Sequence, residues 1–366
     1  MKHIKKIFAV ILIVTMALTA TGCSDLTWSF KTDDTTVSIG TYIFYEYSAF
    51  YDASQNVSDS DAQVLDQTIE GTPAEEWIRD KALESVKKYL AVEKLMKDMK
   101  LTLTSAETTS ADTYTNYIWN SYNFGTEFEN YGISKDSYNK AVYLLNAKDE
   151  KIFKAIYDKD GTKAVAEDDL KKYFTDNYTD YYYFTYDLTT TDSSSGDSVA
   201  MSDADKEKVV KEFDKYLKMV NSEKKSYEDV VNEFIKYSGA TSSASKDQSV
   251  TEASPSNHHT TILNDSSMLD ESVRKKIIDM KENSYDAFID GEGTDAKYYF
   301  VYKTSITERA KEFLVDGDER VSVLRSMKDK EYNSYIDDVI KEIKYETNEK
   351  ALKKYAPEMF ADEFMN

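Results

Sequence analysis

The chain contains very few of the residues on which several common kinds of site depend. Its 366 residues include one cysteine, three histidines, three prolines and eleven glycines. A single thiol excludes a disulfide within the chain and any zinc site built on several cysteines. The scarcity of proline and glycine excludes a proline-rich stalk, so most of the chain is expected to be regular structure.

One apolar run, Ile7–Leu18, lies at the N-terminus and is too short to span a bilayer as a mature helix. It follows Lys2, Lys5 and Lys6 and precedes several small residues. A positive segment, a short apolar run and small residues in this order are the pattern of a secretory signal. The sequence therefore predicts a signal peptide over residues 1–22.

The segment Ala20-Thr21-Gly22-Cys23 resembles a bacterial lipobox, in which the cysteine is lipidated and becomes the mature N-terminus. It departs from the lipobox at Ala20, where leucine is usual. The resemblance implies lipidation at Cys23, a lipidated tether over residues 23–36, and a protein anchored outside the cytoplasm to the bacterial cell membrane. Such an anchor holds a protein durably, because each buried CH₂ contributes about 0.8 kcal/mol. Simple secretion is the alternative.

The chain is strongly acidic. Residues 1–22 carry three lysines and no acid, so the formal net charge of −21 becomes −24 without them. This balance argues against nucleic acid as a partner and against flat binding to anionic lipid.

Two aromatic stretches read as strands, Tyr181–Thr190 and Lys297–Ser305, and helical patterns surround them. Before them, Thr72 and Pro73 followed by Glu75 predict the start of a long helix, with Thr72 as its N-cap. Between them, Ser202 with Asp205 three residues on, and Ser226 with Asp229, predict the capped starts of two shorter helices. After them, Glu308–Ile343 predicts one long helix that needs a partner surface. We predict an α+β fold, a mostly helical domain built from both ends of the chain with a small inserted module.

This order resembles that of extracytoplasmic foldases of the PrsA and SurA type, in which a parvulin-like domain interrupts a helical chaperone domain. The resemblance is carried by Val37–Tyr42, by WIRDKALESVKKYLAVEKLMKDMKLTLT at Trp77–Thr104, and by Arg320–Pro357. It implies the N part of a chaperone domain over 37–180 and a parvulin-like α/β module over 181–305. A C-terminal helix over 306–366 would complete the chaperone domain.

Active parvulins carry one histidine on the first strand and one on the last, across a pocket lined by methionine and phenylalanine. Aligned by pattern, those positions hold Tyr186 and Tyr299, and Met268 matches a pocket methionine. Neither strand contains histidine, so the resemblance implies a degenerate peptide-binding pocket and no catalytic residue.

Other constellations give no site. His258 and His259 read as solvated residues of a long polar loop over 239–261. Asp158-Lys159-Asp160-Gly161 begins like a calcium loop, but its glycine and the twelfth residue do not fit. We therefore expect no metal, and the lack of a glycine-rich phosphate loop gives no reason to expect a cofactor.

The leading hypothesis is a membrane-anchored chaperone or foldase that holds unfolded or newly secreted polypeptides, with an inactive isomerase-like module. Its 29 tyrosines would line a cleft for such chains, or they would serve only as core and helix surface. The alternatives are an active peptidyl-prolyl cis-trans isomerase and a surface lipoprotein that binds a peptide or a glycan. A homodimer is left open.

Overall fold

The computed structural model describes residues 27–59, 61–121, 124–240 and 258–361. The predictions for the signal peptide, for Cys23 and for most of the 239–261 loop lie outside them. The α-helices are α1 (Ile39–Asn56), α2 (Ala74–Asp98), α3 (Ser105–Ser121), α4 (Phe124–Tyr131), α5 (Lys135–Ala141), α6 (Tyr143–Tyr157), α7 (Glu167–Asn177), α8 (Asp203–Asn221), α9 (Tyr227–Ala240), α10 (Glu271–Asp279), α11 (Ile306–Phe313), α12 (Asp318–Glu342) and α13 (Glu349–Lys354). The strands are β1 (Trp28–Lys31), β2 (Thr36–Ser38), β3 (Thr68–Ile69), β4 (Thr72–Pro73), β5 (Tyr178–Asp187), β6 (Thr189–Thr191), β7 (Ser198–Ala200), β8 (His259–Leu263), β9 (Ser284–Asp290), β10 (Lys297–Lys303) and β11 (Glu346–Thr347).

The chain divides into two compact units, and the predicted α+β class is confirmed. One unit, which we call the two-part unit, consists of the described residues up to Ala164 and those from Lys328 onward. The second unit is Val165–Met327. The division falls within α12. The predicted domain boundaries at 180 and 305 stay predictions.

The two-part unit is helical, with a small antiparallel sheet in the order β11-β1-β2. Its core lies along α1 and α2, where Ile43, Ile78 and Val86 are completely buried. The Ser38 hydroxyl caps α1 by accepting from the backbone N–H of Thr41. Isolated helices are only marginally stable in water. Burial of apolar surface between these two helices, at about 25 cal/mol per Å² of buried area, therefore supplies most of their stability.

The start of α2 differs from the prediction. Pro73 takes the N-cap position and no side chain caps the helix. Thr72 instead pairs with Ile69 in the β3–β4 hairpin. Glu70 and Gly71 form its two-residue turn, with φ of 54° and 85°. Two positive φ values are typical of a tight hairpin turn, which takes Thr72 away from the helix.

The predicted long helix over Glu308–Ile343 is also interrupted. The structure has two helices there, α11 and α12. Gly317 lies between them with a φ of 94°, a conformation that glycine adopts without steric cost.

The second unit is organised around an antiparallel four-stranded sheet in the order β8-β5-β10-β9. One face packs against α8 and α9 and the other against α10. The predicted caps of α8 and α9 are confirmed: Ser202 accepts from the N–H of Asp205, and Ser226 from that of Asp229.

Candidate functional site

Two of the predicted pocket residues, Tyr186 and Tyr299, lie on the adjacent strands β5 and β10. Successive side chains of a strand point to opposite faces. In the β5–β10 register, Tyr186 pairs with Tyr298, whereas Tyr299 pairs with Thr185. Tyr186 is buried in the core on the α8–α9 side, and Tyr299 in the core on the α10 side. The two residues lie on opposite faces of the sheet.

Met268 does not join either of them. It lies in the turn before α10, and 82% of it is exposed. Its neighbour Leu269 packs against the α10-side core instead. The structure therefore does not bring Tyr186, Met268 and Tyr299 together. The prediction that these three residues line one pocket was wrong. On β5, the aromatic residue that packs against the same core as Tyr299 is Tyr183, two residues before its partner Thr185.

The residues on that face form a group that we call the α10-side ring cluster: Tyr181, Tyr183, Phe288 and Tyr299. The rings of Tyr181 and Tyr183 lie 5.7 Å apart, and those of Phe288 and Tyr299 stack at 5.4 Å with an interplanar angle of 16°. Tyr181 and Tyr299 are buried, whereas Tyr183 and Phe288 are half-buried. The cluster thus has a buried base and a partly exposed surface.

The two buried phenols of this cluster, those of Tyr181 and Tyr299, have raised pKa values. Burial raises the pKa of Tyr299 to about 12, and the charges of Asp290 and Asp270 add to the effect. Burial likewise raises the pKa of Tyr181, together with the charges of neighbouring groups. Both phenols therefore stay protonated at neutral pH, where they can donate hydrogen bonds and offer apolar area.

The two described histidines lie at the start of β8, where the sequence predicted a solvated loop. His259 is the first residue of the strand, and its ring stacks on Tyr182 at 4.1 Å and 5°. The ring of His258 stands edge-on to Tyr183 at 5.2 Å. Because Tyr182 and Tyr183 face opposite sides of the sheet, the two imidazoles diverge. The prediction was wrong for His259.

His259 belongs to a polar cluster around Asp180, which sequence reasoning missed. The Nε2 atom of His259 lies 2.9 Å from Oδ2 of Asp180, a residue only 2% exposed. Thr261 and Thr304 donate to the same carboxylate, and Nε of Arg309 lies 3.4 Å from Oδ1. The cluster ties β5, β8 and α11 to the end of β10.

Burial alone would raise the pKa of Asp180. The hydrogen bonds from His259, Thr261 and Thr304, with the charge of His259, outweigh burial and hold the pKa of Asp180 below its ordinary value. The carboxylate is thus ionised at neutral pH and fully engaged by its partners. This arrangement is typical of a structural tie.

Beside this cluster, four rings form a row across the sheet, one from each strand. The ring row consists of His259, Tyr182, Tyr302 and Tyr285. Tyr182 and Tyr302 lie 6.2 Å apart, and Tyr302 and Tyr285 stack at 4.3 Å with an angle of 14°. All four are half-buried. Tyr227 at the start of α9 packs on Tyr182 at 5.2 Å.

Exposed tyrosines also occur in the two-part unit. Tyr51, Tyr114 and Tyr117 are 53%, 58% and 61% exposed. The ring of Tyr114 stacks on that of Tyr143 at 5.9 Å and 16°. Tyrosine thus occurs both in the core and on the exposed helix surface, and a cleft that tyrosines line for client chains stays a prediction.

The described part of the chain shows neither a metal site nor a membrane-spanning helix. No group of three or more His, Cys, Asp or Glu side chains is placed there to hold a metal ion. Among the same residues, no helix is long and apolar enough to cross a membrane.

Comparison with solved structures finds PrsA foldases, the family that the sequence resembles. The structure is similar to the foldase PrsA of Streptococcus pneumoniae, with a TM-score of 0.38, 14% identity, and coverage of 76% of this chain and 87% of that chain. It is also similar to PrsA of Bacillus subtilis, with a TM-score of 0.32, 16% identity, and coverage of 90% and 98%. No protein-family model matches the chain, and neither does any curated protein. At such low TM-scores and identities, the likeness by itself establishes no function.

Proposed function

We propose that this chain is a membrane-anchored chaperone or foldase outside the cytoplasm. It holds unfolded or newly secreted polypeptides by apolar and aromatic contact, through a module that resembles an isomerase without its catalytic histidines. The observation that carries the proposal is the α10-side ring cluster, with half-buried Tyr183 and Phe288 above buried Tyr181 and Tyr299.

The chemistry of the cluster suits binding without a covalent step. Aromatic rings give a large contact area at a low cost in side-chain entropy, and protonated phenols donate hydrogen bonds to many backbone carbonyls. Neither β5 nor β10 carries a histidine, and the rings of His258 and His259 turn to opposite faces. A paired-histidine site across these strands is therefore not part of the proposal.

The test uses residues 24–366 in two assays on one preparation, suppression of client aggregation and acceleration of proline-limited refolding. We expect suppression without acceleration. The double variant Tyr183→Ala/Phe288→Ala should weaken suppression about tenfold, the change that follows from losing about 1.4 kcal/mol of contact energy. Tyr117→Ala is the matched control, because it removes one exposed ring from the other unit.

The remaining outcomes separate the alternatives. Acceleration that disappears in Tyr299→Phe and persists in Tyr186→Phe would establish an active isomerase working on the α10 side. A chain that neither suppresses aggregation nor accelerates refolding would overturn the foldase proposal and favour a lipoprotein that binds a peptide or a glycan.

The anchor is tested separately. Metabolic labelling with a radioactive fatty acid should mark the wild-type chain and not Cys23→Ser. An unlabelled wild-type chain recovered in the medium would replace the anchor with simple secretion. Sedimentation of residues 24–366 decides whether the protein is a homodimer.

A further inference from the structure

The last described segment of the chain packs on the two-part unit, with Phe360 as its largest buried side chain. The segment Glu349–Phe360, which we call the C-terminal latch, consists of α13 and a 3-10 helix over Pro357–Phe360. Phe360 is completely buried. Its ring lies 5.5 Å from that of Tyr47, 6.1 Å from that of Phe50 and 5.0 Å from that of Tyr131. The latch therefore covers α1 and α4.

Next to the α1 residues that contact Phe360 lies a buried carboxyl group that no function described so far uses. Glu46 is 0% exposed, and it lies on α1 next to Tyr47 and one turn before Phe50. The hydroxyl of Tyr42 donates to Oε1 of Glu46 at 2.7 Å. The second oxygen, Oε2, has no hydrogen-bond partner among the described residues. A buried charge with an unsatisfied oxygen is costly, so this position favours the neutral acid.

The groups that act on Glu46 come from three elements. Burial is the largest influence and opposes its ionisation. Tyr42 on α1 and Arg79 on α2 favour the carboxylate, but Arg79 is engaged by Glu75, with Nη2 at 2.9 Å from Oε1. Glu75 on α2 and Glu358 on the latch oppose the carboxylate by their charge. Together these influences raise the pKa of Glu46 to about 8.

We propose that Glu46 is a proton-controlled lock on the C-terminal latch. When Glu46 is protonated, the latch stays closed over α1. When Glu46 loses its proton, a buried negative charge forms near Glu358, and opening of the latch gives that charge access to water. This inference is independent of the proposed function, because it concerns only contacts within the two-part unit.

The direction in which pH shifts the opening of the latch follows from the difference in proton binding between its closed and open states. The closed state binds the proton up to about pH 8, whereas a carboxyl exposed to water binds it only up to its ordinary value of 4.5. Between these values the closed state holds more protons than the open one, so rising pH favours opening by up to tenfold per pH unit. Above about pH 8 both states have lost the proton, and the opening equilibrium levels off.

The test is hydrogen–deuterium exchange of the full chain in mild detergent, read by mass spectrometry from about pH 5.5 to about pH 9.5 and corrected for the intrinsic exchange rate. We expect protection of residues 349–361 to fall by up to tenfold per pH unit and to level off above about pH 8. In Glu46→Gln, which keeps the shape without the titration, protection should not change with pH.

Glu358→Gln is the second variant. It removes one charge that opposes ionisation of Glu46 and leaves the carboxyl in place, so the levelling-off should move to lower pH. If Glu46→Gln does not fold, the pH series of the wild type and of Glu358→Gln still decide. Protection of 349–361 that is constant with pH in the wild type would overturn the proposal. An equal fall throughout α2 would also overturn it, because Glu46 would then act on the whole unit.

Discussion

The two faces of the β8-β5-β10-β9 sheet are built very differently. Among the described residues, fifteen buried side chains form the core on the α8–α9 side, and six form the core on the α10 side. The larger core is continuous around Phe184, whose ring stacks on Phe234 at 4.2 Å and on Phe300 at 5.0 Å. The α8–α9 face thus supplies most of the packing energy, and the α10 face is the thinner of the two. Half-buried rings lie on both faces, and the thinner face carries the proposed binding rings of Tyr183 and Phe288.

The largest expected loss of stability follows from removing a ring from the larger core. Phe184→Ala should lower the free energy of unfolding by about 3–5 kcal/mol, because it deletes a fully buried ring and leaves a cavity. Phe288→Ala, on the thinner face, should cost only about 1 kcal/mol, since its side chain is half-buried. Urea denaturation followed by tyrosine fluorescence measures both. Equal losses would contradict the asymmetry.

A smaller effect is expected at the polar cluster on the edge of the larger core. Asp180→Asn should cost about 2 kcal/mol, because it removes a charged acceptor from His259, Thr261 and Thr304. Since the pKa of folded Asp180 is lowered, its contribution is complete above about pH 4 and is lost as pH falls through the folded value. The wild-type and variant unfolding curves should therefore converge in acid. A constant difference down to about pH 2 would contradict this account.

A still smaller effect separates stacking from hydrogen bonding in the ring row. His259→Phe keeps a ring against Tyr182 but removes one of the partners of Asp180, and we expect a loss of about 1 kcal/mol. His259→Ala removes both interactions and should cost about 1 kcal/mol more. Thermal unfolding of the two variants measures the difference. Identical melting temperatures would mean that the stack contributes nothing.

The largest effect on binding should come with only a modest loss of stability. Tyr183→Ala/Phe288→Ala should weaken client binding about tenfold and lower the free energy of unfolding by no more than about 2 kcal/mol. Fluorescence anisotropy of a labelled, permanently unfolded client measures the affinity, and circular dichroism confirms the fold. Tyr182→Ala on the opposite face is the matched control, which should affect stability more than affinity.

The sequence predicted the two central strands of this sheet but not their register. Strands were predicted at Tyr181–Thr190 and Lys297–Ser305, and they occur at Tyr178–Asp187 and Lys297–Lys303. Alternation within each stretch locates a strand, yet more than a hundred residues separate the two. No short turn therefore fixes which residue of one faces which residue of the other, and a shift of one residue exchanges the faces. The choice of Tyr186 instead of Tyr183 follows from this gap.

Sequence patterns for helix caps gave correct predictions where no distant segment of the chain competed for the capping residue. The Ser202 and Ser226 caps depend on hydrogen bonds within one turn, and both occur. Thr72 fits the same pattern but is taken by the β3–β4 hairpin. Asp180 gave no signal at all, because its partners come from β8, α11 and the end of β10. A buried polar cluster of this kind is visible only once the strands are paired.

The ring row has one more consequence, for the tolerance of the chain to changes in length. His259 enters the sheet as the first residue of β8, and both its stack on Tyr182 and its bond to Asp180 specify one alignment. A slip of one residue would break both contacts and turn Ile262 away from the core. The strand thus carries its own alignment signal at its entrance. We therefore expect the alignment of β8 to depend on His259 itself, and not on the exact number of residues that precede it in the chain.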